Sequence, residues 1–254
     1  MKNIYRYGQK INSHDLLKIS AILTMVVDHV GYYFMGNNVW FRIIGRMAAP
    51  QFFFLIGYSG SYRFKWSILV YGICLFVVNL LINPSTSIIV HILPINILIS
   101  FVLIKALLNK LDVVKLTTNQ LIMLLAILML FSFPTYLLIE YGTLGLCYAI
   151  GARLLSQRHS FGRFWMFITV IVQFGFELVF LIRGQTEHSI HSIPFIAGLV
   201  LVVACLNLLI FLKYRFRVFN LTQRLVKTVA LYISRYSLEI YFFHVSAFKI
   251  AYFI

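Results

Sequence analysis

Apolar stretches long enough to cross a lipid bilayer recur along the whole chain of 254 residues, separated by short polar or basic breaks. The pattern predicts helices at about 16–35, 41–60, 66–83, 88–107, 119–139, 141–156, 163–182, 192–212 and 228–250. That is an all-α, polytopic transmembrane helix bundle of about nine helices, eight to ten within the latitude of the breaks. The sixth segment is the weakest, being short and carrying Gly142, Gly145 and Gly151. The second is interrupted in its first half by Arg42, Arg46, Pro50 and Gln51, and a proline in mid-segment frees a carbonyl and is expected to kink the helix there. With no long loop, no low-complexity tract and no internal repeat, residues 1–254 read as one membrane domain.

The first segment is the least compatible with plain lipid. Residues 18–36, KISAILTMVVDHVGYYFMG, carry Lys18 near one end and Asp28-His29 near the other. Lys18 and His29 are eleven residues apart. At about 100° and 1.5 Å per residue they share a face and stand about 16 Å apart along the axis. Ser20, Thr24 and Asp28 form a second polar row at intervals of four. Ionisable groups at membrane depth are costly and face a bundle interior or a wet cavity, so this helix is the first place to look for a site.

Composition agrees with the pattern: 61% of the residues are hydrophobic, only 11% are charged and the mean hydropathy is +0.90, against about 25% charged in soluble domains. In a soluble protein the net charge of +15 would suggest nucleic acid. Here basic residues gather in alternate breaks, and no basic run interleaved with exposed aromatics marks a nucleic-acid module. With the N-terminus inside, seventeen Lys and Arg fall on inner breaks against four outside (Arg42, Arg46, Arg183 and Lys249). This positive-inside bias places the N-terminus in the cytoplasm. The leader MKNIYRYGQKINSHD lacks the apolar core and small-residue cleavage site of a removable signal peptide. Cys74, Cys147 and Cys205 lie in apolar segments without ligand or disulfide spacing, so no metal site is expected.

The same topology gathers titratable groups toward the outer face: Asp28, His29, Arg42, Arg46, His91, Glu140, His188, His191 and His244. His188 and His191 read as solvated loop residues. Arg42 and Arg46, four apart, share a helical face at the outer boundary. Arg46 is the expected partner of Asp28, since a buried carboxylate needs a neutralising donor; a pin between helices and a substrate contact are both open for it. In the last helix, ISRYSLEIYFFHVSAFK, Arg235 and Glu239 are spaced to pair, and His244 comes at the same depth as His29. Asn79, Asn83, His91, Asn96, Gln173 and Glu177 suit hydrogen bonds between helices. A histidine in a low-dielectric cavity can serve as a general base. Asp28, adjacent in sequence and so about 100° away on the helix, is not placed to orient His29. The nucleophile-elbow, Walker, zincin and dinucleotide motifs are all missing.

The segments LLKISAILTMVVDHVGYYF, WFRIIGRMAAPQFFFLIGYSGSYR and ISRYSLEIYFFHVSAF together resemble the TraX family of membrane proteins, which includes the conjugative pilin acetylase and looks related to the acyltransferase-3 group. The basic residue, ten residues, then histidine of that group falls on Lys18 and His29, with lysine where arginine is common. The resemblance implies transfer of an acetyl group from acetyl-CoA, with no metal, to a pilin-like peptide amine or a glycan hydroxyl. It implies His29 and Asp28 as catalytic candidates, Asp28 having a clamp on Arg46 as its structural alternative. Lys18, Arg63 and Lys65, or alternatively the basic cluster at 213–227, become candidates for the acetyl-CoA end. Arg42, Arg46, Glu239, Tyr241 and His244 become candidates for the acceptor side. The expected location is a bacterial cytoplasmic membrane. Two other classes stay open on the residues alone, a proton-coupled transporter and a non-catalytic assembly protein.

Overall fold

The computed structural model describes residues 10–63, 65–82, 94–183, 193–220 and 223–253. The expected helix start at 88–93 and the residues Asn83, His91, His188 and His191 lie outside them. The chain begins with a two-residue strand, β1 (Ile11–Asn12), antiparallel to β2 (Val218–Phe219), with Ile11 opposite Phe219. This pairing was not legible in the sequence. α1 (Ser13–Tyr33) follows directly. Its first turn is closed by a capping box in which the Asn12 side chain accepts from the Asp15 N–H and the Asp15 carboxylate accepts from the Asn12 N–H, both at 3.0 Å.

The expected second helix is two, α2 (Val39–Gly45) and α3 (Ala48–Ser59). The break falls at Arg46-Met47 and not at Pro50, which is the third residue of α3. There its missing N–H is one of those a helix start leaves unpaired in any case. α4 (Trp66–Ile82) and α5 (Ile97–Lys110) come next. α5 starts late because Asn96 caps it, its side chain accepting from Leu98 N at 3.1 Å and Ile99 N at 3.3 Å. A short 3-10 turn, Val113–Lys115, leads on to the next pair.

The expected helix at 119–139 is also broken, into α6 (Thr118–Leu130) and α7 (Ser132–Leu138), bent by 51°. Pro134 explains the bend, since its ring clashes with the carbonyl four residues earlier, that of Leu130. Beyond α7 the backbone of Glu140 donates to Ile95 O at 2.9 Å, and Ile95 donates to Leu138 O at 2.9 Å. Irregular backbone at membrane depth is tolerated where protein buries it or a cavity adjoins it.

α8 (Gly142–Ser156), the weakest segment by pattern, is the most central helix, with Leu144, Ala149, Ile150 and Leu154 fully buried. Its glycines and alanines are what make it central, because they let neighbours close in. A Cβ on Gly57 of α3 would sit 1.8 Å from the Ala149 carbonyl oxygen. Gly57→Ala is therefore expected to force α3 and α8 apart and lower stability by about 1–3 kcal/mol, read as a fall in the thermal midpoint of the purified protein. α9 (Gly162–Arg183) and α10 (Ile193–Lys213) complete the packing, Trp165 of α9 donating its indole N–H to Cys147 O at 2.8 Å.

The expected last span, 228–250, divides at Tyr236 into α11 (Arg224–Arg235) and α12 (Ser237–Phe253). α11 turns Leu225, Val226, Val229 and Tyr232 outward on one face, with Arg224, Lys227, Thr228 and Arg235 on the other. Such a helix suits the bilayer interface and not its core. It is held to α1 by the Ser234 hydroxyl, which donates to Asp15 at 2.6 Å. Ser13–Tyr33, Val39–Ser59, Gly162–Val179 and Pro194–Lys213 are long and apolar enough to cross a membrane. The bent pair α6–α7 adds a fifth candidate, and Trp66–Ile82 is apolar but shorter. The outer surface is correspondingly greasy, with Leu81 and Leu130 each 75% exposed, as lipid contact allows.

Candidate functional site

α1 is one wall of a cavity of about 850 Å³, to which it presents His14, Lys18, Met25, Asp28, His29, Tyr32 and Tyr33. Lys18 and His29 thus open on the same space, as their spacing on one helical face requires. The Lys18 end is strongly cationic, with Arg63, Lys65, Lys105 and Arg235 also on its wall. Lys18, Lys65 and Lys105 are close enough for their charges to interact. A second cavity of about 720 Å³ shares Arg63, Lys65 and Lys105 with the first and adds Asn109 and Lys110. Beside His14 at this end, the Tyr214 hydroxyl is hydrogen-bonded to the His14 ring. Burial, with the neighbouring Tyr58 and Asp15, holds the Tyr214 phenol above its ordinary pKa, so it is protonated at neutral pH.

The far end is built where α1 meets α2. Gly45 abuts Asp28 so closely that a Cβ there would lie 2.1 Å from the Asp28 Cβ. Arg42, three residues before Gly45, lies on nearly the same face of α2 and places Nη1 2.8 Å from Asp28 Oδ2. Its guanidinium also covers the Tyr32 ring, 5.1 Å from the centroid. Arg46, one residue past Gly45, is turned about 100° away and meets α9, its Nε 3.0 Å from Glu177 Oε2. The expected pairing of Arg46 with Asp28 is therefore replaced by two pairs, Arg42 with Asp28 and Arg46 with Glu177. Asp28 is clamped, as the structural reading of it anticipated, but by the other arginine.

His29 turns Nδ1 toward Nε2 of His244 on α12, at 2.8 Å, and the rings lie 5.0 Å apart. His244 Nδ1 is in turn 2.6 Å from the Ile240 carbonyl oxygen. Tyr33 and Tyr241 flank His29 with ring centroids at 6.2 and 6.4 Å. Glu239 and Tyr241 line the cavity, whereas His244 stands behind His29, off its wall. Arg235 lies over the Tyr236 ring, 6.0 Å from its centroid.

The structure also assembles residues that the sequence did not single out as site candidates, Glu140 having been placed only among the titratable groups toward the outer face. Glu140, Tyr136 and Tyr141 join Arg42 and Arg46 around the His29 end. Glu140 Oε2 accepts from the Ile97 N–H at 2.8 Å, stitching the start of α5 to the turn before α8. The signal for Glu140 was a rare carboxylate at membrane depth. It was obscured by lying beside the weakest helix. Other polar positions serve as expected between helices. Asn96 donates to Gly72 O at 2.8 Å, Asn79 accepts from Lys249, and Gln173 accepts from the Tyr148 hydroxyl.

A helical membrane protein with a deep cavity, lined by cations at one end and by a histidine and ion pairs at the other, belongs to the class that carries a polar site within its bundle. The chain belongs to the TraX family: the family described as TraX protein matches residues 13–244, which include His14, Lys18, His29 and His244. It is also similar to an uncharacterized protein of Rickettsia prowazekii (strain Madrid E), 42% identical over 66 residues, or 26% of this chain and 27% of that protein. The chain thus matches about a quarter of the length of that curated relative. No solved structure matches it.

Proposed function

We propose that the protein is an acetyl-CoA-dependent acyltransferase of a bacterial cytoplasmic membrane, moving an acetyl group to a peptide amine or a glycan hydroxyl at the outer face. The observation that carries this reading is the continuity of one cavity from the cations around Lys18 to His29. Acetyl-CoA is anionic at its nucleotide end and uncharged along the pantetheine arm. Its phosphates would sit among Lys18, Arg63, Lys65 and Lys105, with the adjoining cavity giving them room, and the thioester would reach the His29 end. His29 takes the proton from the acceptor N–H or O–H as that atom bonds to the thioester carbonyl carbon. The C–S bond then breaks, and the departing thiolate recovers the proton from His29, so that the enzyme ends unchanged. Arg42, Arg46, Glu239 and Tyr241 form the acceptor side.

Acetyl-CoA binding by the purified full-length chain, measured calorimetrically in lipid nanodiscs, tests the reading. Saturable binding is expected, weakened by salt because the contacts are ionic, and weakened at least tenfold by the double substitution Arg63→Glu, Lys65→Glu. A transporter of another solute or a non-catalytic assembly protein would show no such binding, and that result would end the proposal. An acetyl mass missing from envelope proteins or glycans when the gene is removed identifies the acceptor.

A further inference from the structure

The geometry points to His244 as a positioning residue that sets which nitrogen of His29 carries a proton and so makes His29 a base toward the cavity, a role that rests on the acyl-transfer reading above. The assignment follows from a chain of three groups. A carbonyl oxygen can only accept, so the contact from His244 Nδ1 to Ile240 O, 2.6 Å, requires the proton on Nδ1 of His244. In a neutral ring the other nitrogen then holds a lone pair. That lone pair, on Nε2, lies 2.8 Å from His29 Nδ1, which must therefore donate. His29, also neutral, is left with its lone pair on Nε2, and no described group forms a hydrogen bond to that atom. His29 borders the cavity and His244 does not. The free base therefore belongs to the ring that can meet a substrate.

The anchor of the chain is local. Ile240 is four residues before His244 on α12, so the carbonyl that fixes the outer ring belongs to its own helix. The relay has the logic of a carboxylate orienting a histidine, with an imidazole and a peptide carbonyl in place of the carboxylate. An uncharged orienter suits membrane depth, where a second carboxylate would need its own cation. Asp28, the nearest carboxylate in sequence, is committed to Arg42. When His29 takes a proton at Nε2, its Nδ1–H···Nε2 bond to His244 strengthens and spreads the new charge.

Nitrogen-15 solid-state NMR of the full-length chain in lipid, labelled at histidine, reads the tautomers directly, with His29 and His244 signals assigned by comparison with single variants. Both rings are expected to be protonated at Nδ1. His244→Phe keeps a ring but no acceptor, and is expected to lower kcat on the order of 10–100-fold, with acetyl-CoA binding unchanged. His244→Gln offers an oxygen to His29 Nδ1 and is expected to recover most of that loss. Nε2 protonation of His29 in the wild type, or full kcat in a folded His244→Phe, overturns the assignment while leaving acyl transfer standing. Wild-type protein that neither binds nor turns over acetyl-CoA removes the acyl-transfer reading instead, and the catalytic role of His244 with it. If His244→Phe does not fold, the wild-type spectrum still decides.

Discussion

His29→Ala is expected to slow acetyl transfer in reconstituted membranes by about 10²–10⁴-fold while acetyl-CoA still binds. General-base catalysis by a positioned side chain contributes typically about 10²–10⁴-fold, or roughly 3–5.5 kcal/mol of transition-state stabilisation at 1.36 kcal/mol per decade. The split between rate and binding follows from where the groups stand. Donor contacts are expected around Lys18, Arg63 and Lys65, about 16 Å along the helix axis from His29 by the helical rise. Deleting the imidazole therefore removes proton transfer and leaves the phosphate contacts in place. Single-turnover acetyl transfer from radiolabelled acetyl-CoA, run beside a binding isotherm, separates the two. Wild-type transfer by His29→Ala would falsify the assignment of the base. Loss of acetyl-CoA binding together with activity would move His29 from catalysis to donor recognition or to folding, and a thermal melt tells those two apart.

Much of this site was visible in one helix. The Lys18–His29 spacing sets a shared face by arithmetic alone, and both residues border one cavity. The gathering of cations at alternate breaks likewise pointed to the basic end of that cavity. The partners were harder to read, because they depend on where helices break and how closely they approach. Arg42 and Arg46 are equivalent by pattern. The contact of Gly45 with Asp28 is what assigns one to α1 and sends the other to Glu177. Pro50 looked like a kink and is a helix start, whereas Pro134, unremarked in a long apolar run, accompanies a 51° bend. Glycines weakened the case for α8 on propensity, yet close packing makes it the centre of the bundle. The division between α11 and α12 was hidden because apolar content was counted without its periodicity. The α11 stretch is apolar on one side only.

Glu177→Leu is expected to cost about 3–5 kcal/mol of stability, because it strands the Arg46 guanidinium in the bundle without its counter-charge. Glu177 is 3% exposed, and Arg46 Nε stands 3.0 Å from Glu177 Oε2. The Arg46–Glu177 contact is not an aligned hydrogen bond, so this attachment is mainly Coulombic. Paired buried charges tolerate joint replacement better than single loss, since their mutual attraction mostly offsets the desolvation of both. The double variant Arg46→Met, Glu177→Leu is accordingly expected to recover most of the lost stability, within about 1–2 kcal/mol of the parent. Denaturant unfolding of the parent, the single variants Glu177→Leu and Arg46→Met and the double variant, all in one detergent, gives the coupling energy. The same set decides what Arg46 does, because Arg46 also borders the cavity. If the recovered double variant keeps its KM for the acceptor, the pair only fastens α2 and α3 to α9. If that KM rises while acetyl-CoA binding holds, Arg46 contacts the acceptor as well, and the ion pair is what holds its guanidinium at the cavity wall.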